Sequence, residues 1–293
     1  MTRIDELTAP RVAKLYQDVP TDQFERFKAF HARHPAEHAT IDGVEWTYVD
    51  AGAGGEALLL LTGALGVSDM GWDQITHFAQ RYRVIAPDYA PLKSMDDLVD
   101  GIAGILAHEG IERAHVIGGS YGGFVAQIFA RRHPETTASL VLSHTLPPDA
   151  ASGQMIQATM SYLSLIPMFL LRRMVGNRLR ALLPERTPDT ALTHAIFDEV
   201  VRHRMSKEDL LSSYWRLVDF NQAEFEPDDL AGWPGQILIV MSDDDPSIPE
   251  PVREALRATY PEAEEHLFHG TGHAAATLRP DEYRSVIERF ISD

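Results

Sequence analysis

Apolar positions along this chain switch between short unbroken runs and runs spaced at three and four residues. That alternation predicts strands and helices in turn. Ala39-Thr40-Ile41, the pair Asp42-Gly43 and Glu45-Trp46-Thr47-Tyr48-Val49 read as a hairpin about a tight turn. Leu58-Leu59-Leu60-Leu61 is apolar throughout, as a strand buried on both faces of a parallel sheet must be. Residues 82–86, 114–117, 139–143, 236–241 and 263–268 predict further strands. Between them fall a helix capped by Ser94, with Leu98, Ile102, Ile105 and Leu106 on one face, and helices over about 121–133, 249–260 and 280–291. The alternation predicts a doubly wound, mainly parallel α/β sheet with its chemistry at the carboxyl ends of the strands.

The rhythm breaks in two places. The first forty residues mix charge with helix formers and predict short helices packed on the outside, without a motif that assigns them a role. Residues 146–233 contain no convincing strand and several helix-like stretches. The chain therefore divides into a core of residues 1–145 and 234–293 and a helical lid inserted at 146–233. Within the insertion, Met160, Leu163, Met168 and Phe169 belong to an apolar, methionine-rich stretch expected to roof a pocket, because methionine adapts to varied ligands.

One motif carries chemistry directly. Gly118-Gly119-Ser120-Tyr121-Gly122 joins an apolar strand to a helix, the strand-turn-helix setting of a Gly-x-Ser-x-Gly nucleophile elbow. A turn that sharp leaves no room for a Cβ two residues to either side of the serine, and it pushes the hydroxyl out of the backbone. Serine is a weak nucleophile at neutral pH, so Ser120 requires a base and a carboxylate to orient that base. The strand ending at Met241 runs into Ser242-Asp243-Asp244-Asp245-Pro246, where three aspartates compete; Asp245 is the preferred acid and Asp243 the fallback. The last strand leads into Gly270-Thr271-Gly272-His273, which supplies the base, while His269 is expected to be structural. Backbone amides for an oxyanion should come from Tyr121 and from the loop Thr62-Gly63-Ala64-Leu65-Gly66, with Ala64 the preferred donor over Leu65. Leu65 is also expected to touch substrate.

The elbow, the acid turn and the Gly-Thr-Gly-His segment together resemble the α/β-hydrolase superfamily, over most of the chain from Glu45 onward. The resemblance implies an α/β-hydrolase fold with an inserted helical cap and the chain order Ser120, Asp245, His273. In that superfamily the oxyanion segment commonly begins His-Gly; here Thr62 precedes Gly63, which leaves the backbone donor but removes a side chain that often orders the loop. Residues 45–52, 82–86 and 120–127 are similar to maspardin-like proteins, some of which are regarded as binding proteins more than enzymes.

Composition narrows the partners. With 26 basic and 43 acidic residues the net charge is −17, which disfavours nucleic acid and anionic membranes. No cysteine is present, so disulfide and thiolate chemistry are excluded. Residues 1–7 lack the apolar core of a secretion signal, and the expected location is cytoplasmic. The expected function is a serine hydrolase of carboxylic esters or related acyl compounds, working through an acyl-enzyme on Ser120 with no metal or organic cofactor. The apolar lid favours a medium-sized, uncharged, partly hydrophobic acyl substrate. The alternatives keep the same residues but cleave a carbon–carbon, lactone or amide bond, or make the protein a non-catalytic binding module. Oligomeric state is left open.

Overall fold

In the computed structural model, which describes residues 2–226 and 229–292, eight strands form one sheet. They are β1 (Glu37–Ile41), β2 (Val44–Ala51), β3 (Ala57–Leu61), β4 (Arg83–Pro87), β5 (Ala114–Gly119), β6 (Thr137–Ser143), β7 (Ile237–Ser242) and β8 (Glu264–Phe268), in the spatial order β1-β2-β4-β3-β5-β6-β7-β8. From β4 to β8 the pairing is parallel, while β1, β2 and β4 pair antiparallel. The hairpin closes as the sequence predicts: Ile41 pairs with Val44, and Asp42 and Gly43 both take positive φ, 50° and 81°.

The apolar run of β3 accounts for the two-layered core. Leu59 and Leu61 face one layer, with Leu98 and Ile102 of the helix Met95–His108, Val125 and Phe129 of the helix Tyr121–Arg132, and Leu256 of the helix Glu250–Thr259. Leu58 and Leu60 face the other, with Ile75 and Phe78 of the helix Trp72–Phe78 and Ile287 and Phe290 of the helix Pro280–Ser292. Each fully buried leucine contributes on the order of 2 kcal/mol of transfer free energy, which rewards a strand with no polar face. Ser94 caps its helix as expected, its side chain accepting from the Asp97 amide at 3.2 Å.

Between β6 and β7 the described residues are helical, with Ala150–Leu165, Met168–Arg180, Ala191–Glu199, a wider turn Val200–Arg204, and Lys207–Gln222. Arg216, 3% exposed, fastens this insertion to the core: Nε donates to the Tyr121 hydroxyl at 2.8 Å and Nη1 to the Ala90 carbonyl at 3.0 Å. The amino-terminal helices Arg3–Thr8 and Thr21–Arg33 are more than an outer layer. Leu7, Val12, Tyr16 and Phe27 share a core with Leu192 and Ile196 of the insertion, and Leu65 and Trp72 pack against it. The stripe at 191, 192, 195, 196 and 200 is apolar at helical spacing, and the amino-terminal arm is what covers it. No helix among the described residues is long and apolar enough to cross a membrane.

Candidate active site

Ser120 sits at φ 53°, ψ −119°, a backbone that bulky L-residues rarely adopt. Both flanking glycines are required by contact. A Cβ on Gly118 would lie 2.4 Å from the Gly122 carbonyl oxygen, and one on Gly122 would lie 2.0 Å from that of Leu61. The elbow is thus pressed between β3 and its own helix, and the hydroxyl has one way out. The Ser120 amide donates to the Ser143 carbonyl at 2.8 Å and Thr145 Oγ1 donates to the Ser120 carbonyl at 3.0 Å, so the end of β6 and the residues after it hold both sides of the Ser120 backbone.

His273 reaches this hydroxyl from beyond β8. Its Nε2 lies 2.9 Å from Ser120 Oγ and its Nδ1 lies 2.6 Å from Asp245 Oδ2. With the Nδ1 proton donated to the carboxylate, Nε2 is left to accept from the serine hydroxyl. Asp245 is 3% exposed and its Oδ1 accepts the Ser247 amide at 2.8 Å. Burial works against its charge, but the hydrogen bond and charge of His273, with the Ser247 amide, outweigh it and hold the carboxyl below the usual range.

The three competing aspartates separate cleanly by partner. Asp243 is exposed and meets His269 Nδ1 at 2.6 Å; Asp244 accepts the amides of Thr271 and Gly272 at 3.1 and 2.9 Å; Asp245 alone of the three meets His273. Because β7 and β8 are parallel neighbours, the loops leaving them run side by side, and each carboxylate spans to the next. Asp243 and Asp244 shape the loop that carries His273.

The loop after β3 lies over the same hydroxyl: a Cβ on Gly63 would be 3.8 Å from that of Ser120. The amides of Ala64, Leu65 and Tyr121 donate to no protein acceptor among the described residues. Tyr121 opens the helix, where unsatisfied amides and the helix dipole favour negative charge.

A cleft of about 580 Å³ opens from Ser120 and His273. Leu65 lines it. Met160, Leu163, Met168 and Phe169 do not: Met160 is buried, Leu163 and Met168 pack on the insertion's own small core of Leu171, Met205 and Leu210, and Phe169 is 70% exposed. The apolar walls are Leu179, Leu182, Leu183, Leu192 and Phe197 instead, from the end of the helix Met168–Arg180, the turn after it and the helix Ala191–Glu199. The stretch 150–171 carries no charge at all, so its pattern marks no inward face, and its apolar character was a poor guide to the pocket. Gln23 and Arg26 of the amino-terminal arm also line the cleft, which no sequence signal announced.

Two buried histidines give the molecule an acid limit. Burial lowers both His31 and His144 to about 4; for His31 Arg3 and Arg204 push the same way against Asp69, and for His144 His273 does so against Asp245 and Asp244. Each is neutral when folded and titrates near 6.5 when unfolded, so between pH 6.5 and 4 the unfolded chain binds more protons. Stability is fully present above about 6.5 and falls as pH drops toward 4, by about 3 kcal/mol per histidine. Denaturant midpoints measured from pH 7 to pH 4.5 should decline, and His144→Gln should flatten the slope; an unchanged slope would assign the loss elsewhere.

A serine at such an elbow, above the carboxyl end of a central parallel strand, with helices on both faces of the sheet, defines the α/β-hydrolase class. The chain belongs to the alpha/beta hydrolase family, whose profile matches residues 58–286. It is similar to the 2-hydroxy-6-oxononadienedioate/2-hydroxy-6-oxononatrienedioate hydrolase of Burkholderia vietnamiensis, 27% identical over 279 residues that cover 85% of this chain and 92% of that one. Among solved structures, a meta-cleavage product hydrolase from Pseudomonas fluorescens superimposes with a TM-score of 0.67 at 24% identity, covering 87% of this chain and 97% of that one. An enol-lactonase from Burkholderia xenovorans shares the fold, with a TM-score of 0.71 at 16% identity over 88% of this chain and 100% of that one.

Proposed function

We propose that the protein is a serine hydrolase of carboxylic esters or closely related acyl compounds. Its support is the continuous hydrogen-bonded chain from Ser120 Oγ through His273 to buried Asp245, opening onto an apolar cleft. Ser120 Oγ attacks the carbonyl carbon while His273 Nε2 takes its proton. Asp245 stabilises the imidazolium, and the amides of Tyr121 and Ala64 receive the oxyanion. The imidazolium returns its proton to the departing alcohol, and water, deprotonated by the same nitrogen, releases the acid and frees Ser120. Residues 146–233 act as the cap, with Leu179, Leu182 and Phe197 excluding water from the acyl group.

The charged residues along the cleft favour an uncharged substrate. Arg26 and Arg284 stand against Asp73, Asp189 and Asp281, and Arg284 is already paired with Asp73. A second reading draws on the relatives: one is named as a hydrolase of 2-hydroxy-6-oxononadienedioate, a dioate, and in this reading Ser120 and His273 would serve carbon–carbon cleavage of a diketone instead. The net acidity of this cleft is what argues for the ester. A maspardin-like binding role would leave the Ser120–His273–Asp245 arrangement without use.

A fluorophosphonate should label wild-type protein at Ser120 and leave Ser120→Ala unlabelled; a wild-type protein that stays unlabelled ends both hydrolytic readings. Given labelling, p-nitrophenyl esters of increasing chain length, assayed beside a ring-cleavage dioate, decide the bond. Turnover of the dioate with negligible ester turnover would replace the ester reading with carbon–carbon hydrolysis.

A further inference from the structure

His144 follows β6 directly, between the two residues that grip the nucleophile, and takes a left-handed backbone at φ 47°. Few residues other than glycine adopt that conformation, asparagine, aspartate and histidine being the commonest exceptions, and it persists where the surroundings impose it. Here the His144 ring lies against the ring of His273 and the side chains of Ser143 and Ser242. Nδ1 is 3.0 Å from Ser143 Oγ, Nε2 is 2.8 Å from Ser242 Oγ, and Ser242 Oγ is 2.7 Å from Thr271 Oγ1. Thr271 stands two residues before His273, in the loop whose amides Asp244 holds. The rings of His144 and His273 meet edge to face, with centroids 5.8 Å apart at 78°. Ser143, His144, Ser242 and Thr271 are all 5% exposed or less, so water does not compete for these bonds.

We propose that His144 is a positioning residue for the base: through Ser242 and Thr271 it fixes the loop that presents His273 to Ser120, and its ring edge sets the plane of the His273 imidazole. The proposal rests on the Ser120–His273–Asp245 reading above. Its logic is a division of labour within three residues. Ser143 and Thr145 hold the nucleophile by its backbone while His144 holds the base by its loop, so one strand end sets the distance between the two. Burial, assisted by His273 and opposed by Asp245 and Asp244, keeps His144 uncharged. The imidazolium formed during turnover then faces a neutral ring instead of a second cation.

Two substitutions separate positioning from backbone comfort. Glutamine carries its amide where Nε2 stood and can still reach Ser242; asparagine carries it where Nδ1 stood but accepts the left-handed backbone more readily. With p-nitrophenyl acetate, His144→Gln should keep kcat within about threefold of wild type, and His144→Asn should lose about tenfold or more, with KM in both within about twofold. Ser242→Ala should show the loss of His144→Asn, and the two combined should lose no more than either alone. If His144→Asn equals or exceeds His144→Gln, or Ser242→Ala turns over at the wild-type rate, the positioning role is wrong. Fluorophosphonate labelling of the wild type separates the two levels: absence of labelling removes the Ser120 reading and this proposal with it, whereas labelling with asparagine equal to glutamine removes only the role of His144.

Discussion

Asp245→Asn is expected to lower kcat for a p-nitrophenyl ester by about four orders of magnitude with little change in KM, while Asp243→Asn stays within about twofold of wild type. The two residues have the same chemistry and lie two positions apart, so the contrast rests on geometry alone. Asp245 is buried, accepts from His273 Nδ1 at 2.6 Å and is braced by the Ser247 amide. An asparagine there offers an N–H or a weaker carbonyl to Nδ1, favours the tautomer that puts the proton on Nε2, and leaves Ser120 without an acceptor. Asp243 is in solvent and paired with an exposed His269, a contact worth little. Asp244→Asn keeps the Oδ1 that accepts the Thr271 and Gly272 amides and should cost little in kcat. Steady-state kinetics on the three variants decides the matter: a loss concentrated in Asp243→Asn would mean that the acid turn rearranges when the enzyme works.

What could be read along the chain was whatever a short segment specifies by itself. Leu58 to Leu61, the Asp42-Gly43 turn and the elbow glycines each meet a local physical demand, and each lies in the structure where that demand put it. The choice among Asp243, Asp244 and Asp245 needed the neighbouring strand, since what distinguishes them is which residue of the 269–273 loop each one faces. The cleft walls needed still more. An uncharged helix whose apolar and small polar residues are mixed around its circumference, such as Ala150–Leu165, conceals which face turns inward, and Met155, Tyr162 and Leu165 turn out to be exposed. His144 had no motif around it; its one signal was its position at the carboxyl end of a strand beside the elbow strand, where this fold gathers its chemistry. The amino-terminal arm lies outside the residues that match the family, and its part in the cleft depends on pairings across nearly two hundred positions.

Those pairings carry the largest expected effect on stability. Glu199, 1% exposed, accepts Arg3 Nη1 at 2.6 Å and Nη2 at 2.9 Å, and it also accepts the Tyr16 hydroxyl. Arg3 also reaches Asp69 at 2.8 Å, and Asp69 in turn binds Arg204. Burial raises the cost of the Asp69 charge, yet Arg204 and Arg3 hold its carboxyl below the usual range. One cluster therefore joins the arm, the insertion and the turn Ser68–Gly71 that follows the loop after β3. Glu199→Ala removes the acceptor of the Tyr16 hydroxyl and one of the two buried carboxylates that pair with Arg3, leaving it Asp69 alone, and should cost about 3–5 kcal/mol. At the about 2–4 °C per kcal/mol typical of a chain this long, the thermal midpoint should fall on the order of 10 °C. Arg3→Met combined with Glu199→Met should recover much of that loss, because the penalty comes from stranding a charge more than from losing an attraction. The same variants report on function, since the arm supplies Gln23 and Arg26 to the cleft and Leu65 packs against its core. Glu199→Ala, assayed well below its midpoint, should raise KM for a long-chain ester by severalfold while kcat for p-nitrophenyl acetate holds, because the loosened wall lies away from the reacting atoms. A lowered midpoint with KM unchanged for every ester would make the arm a brace for the fold and remove it from the substrate site.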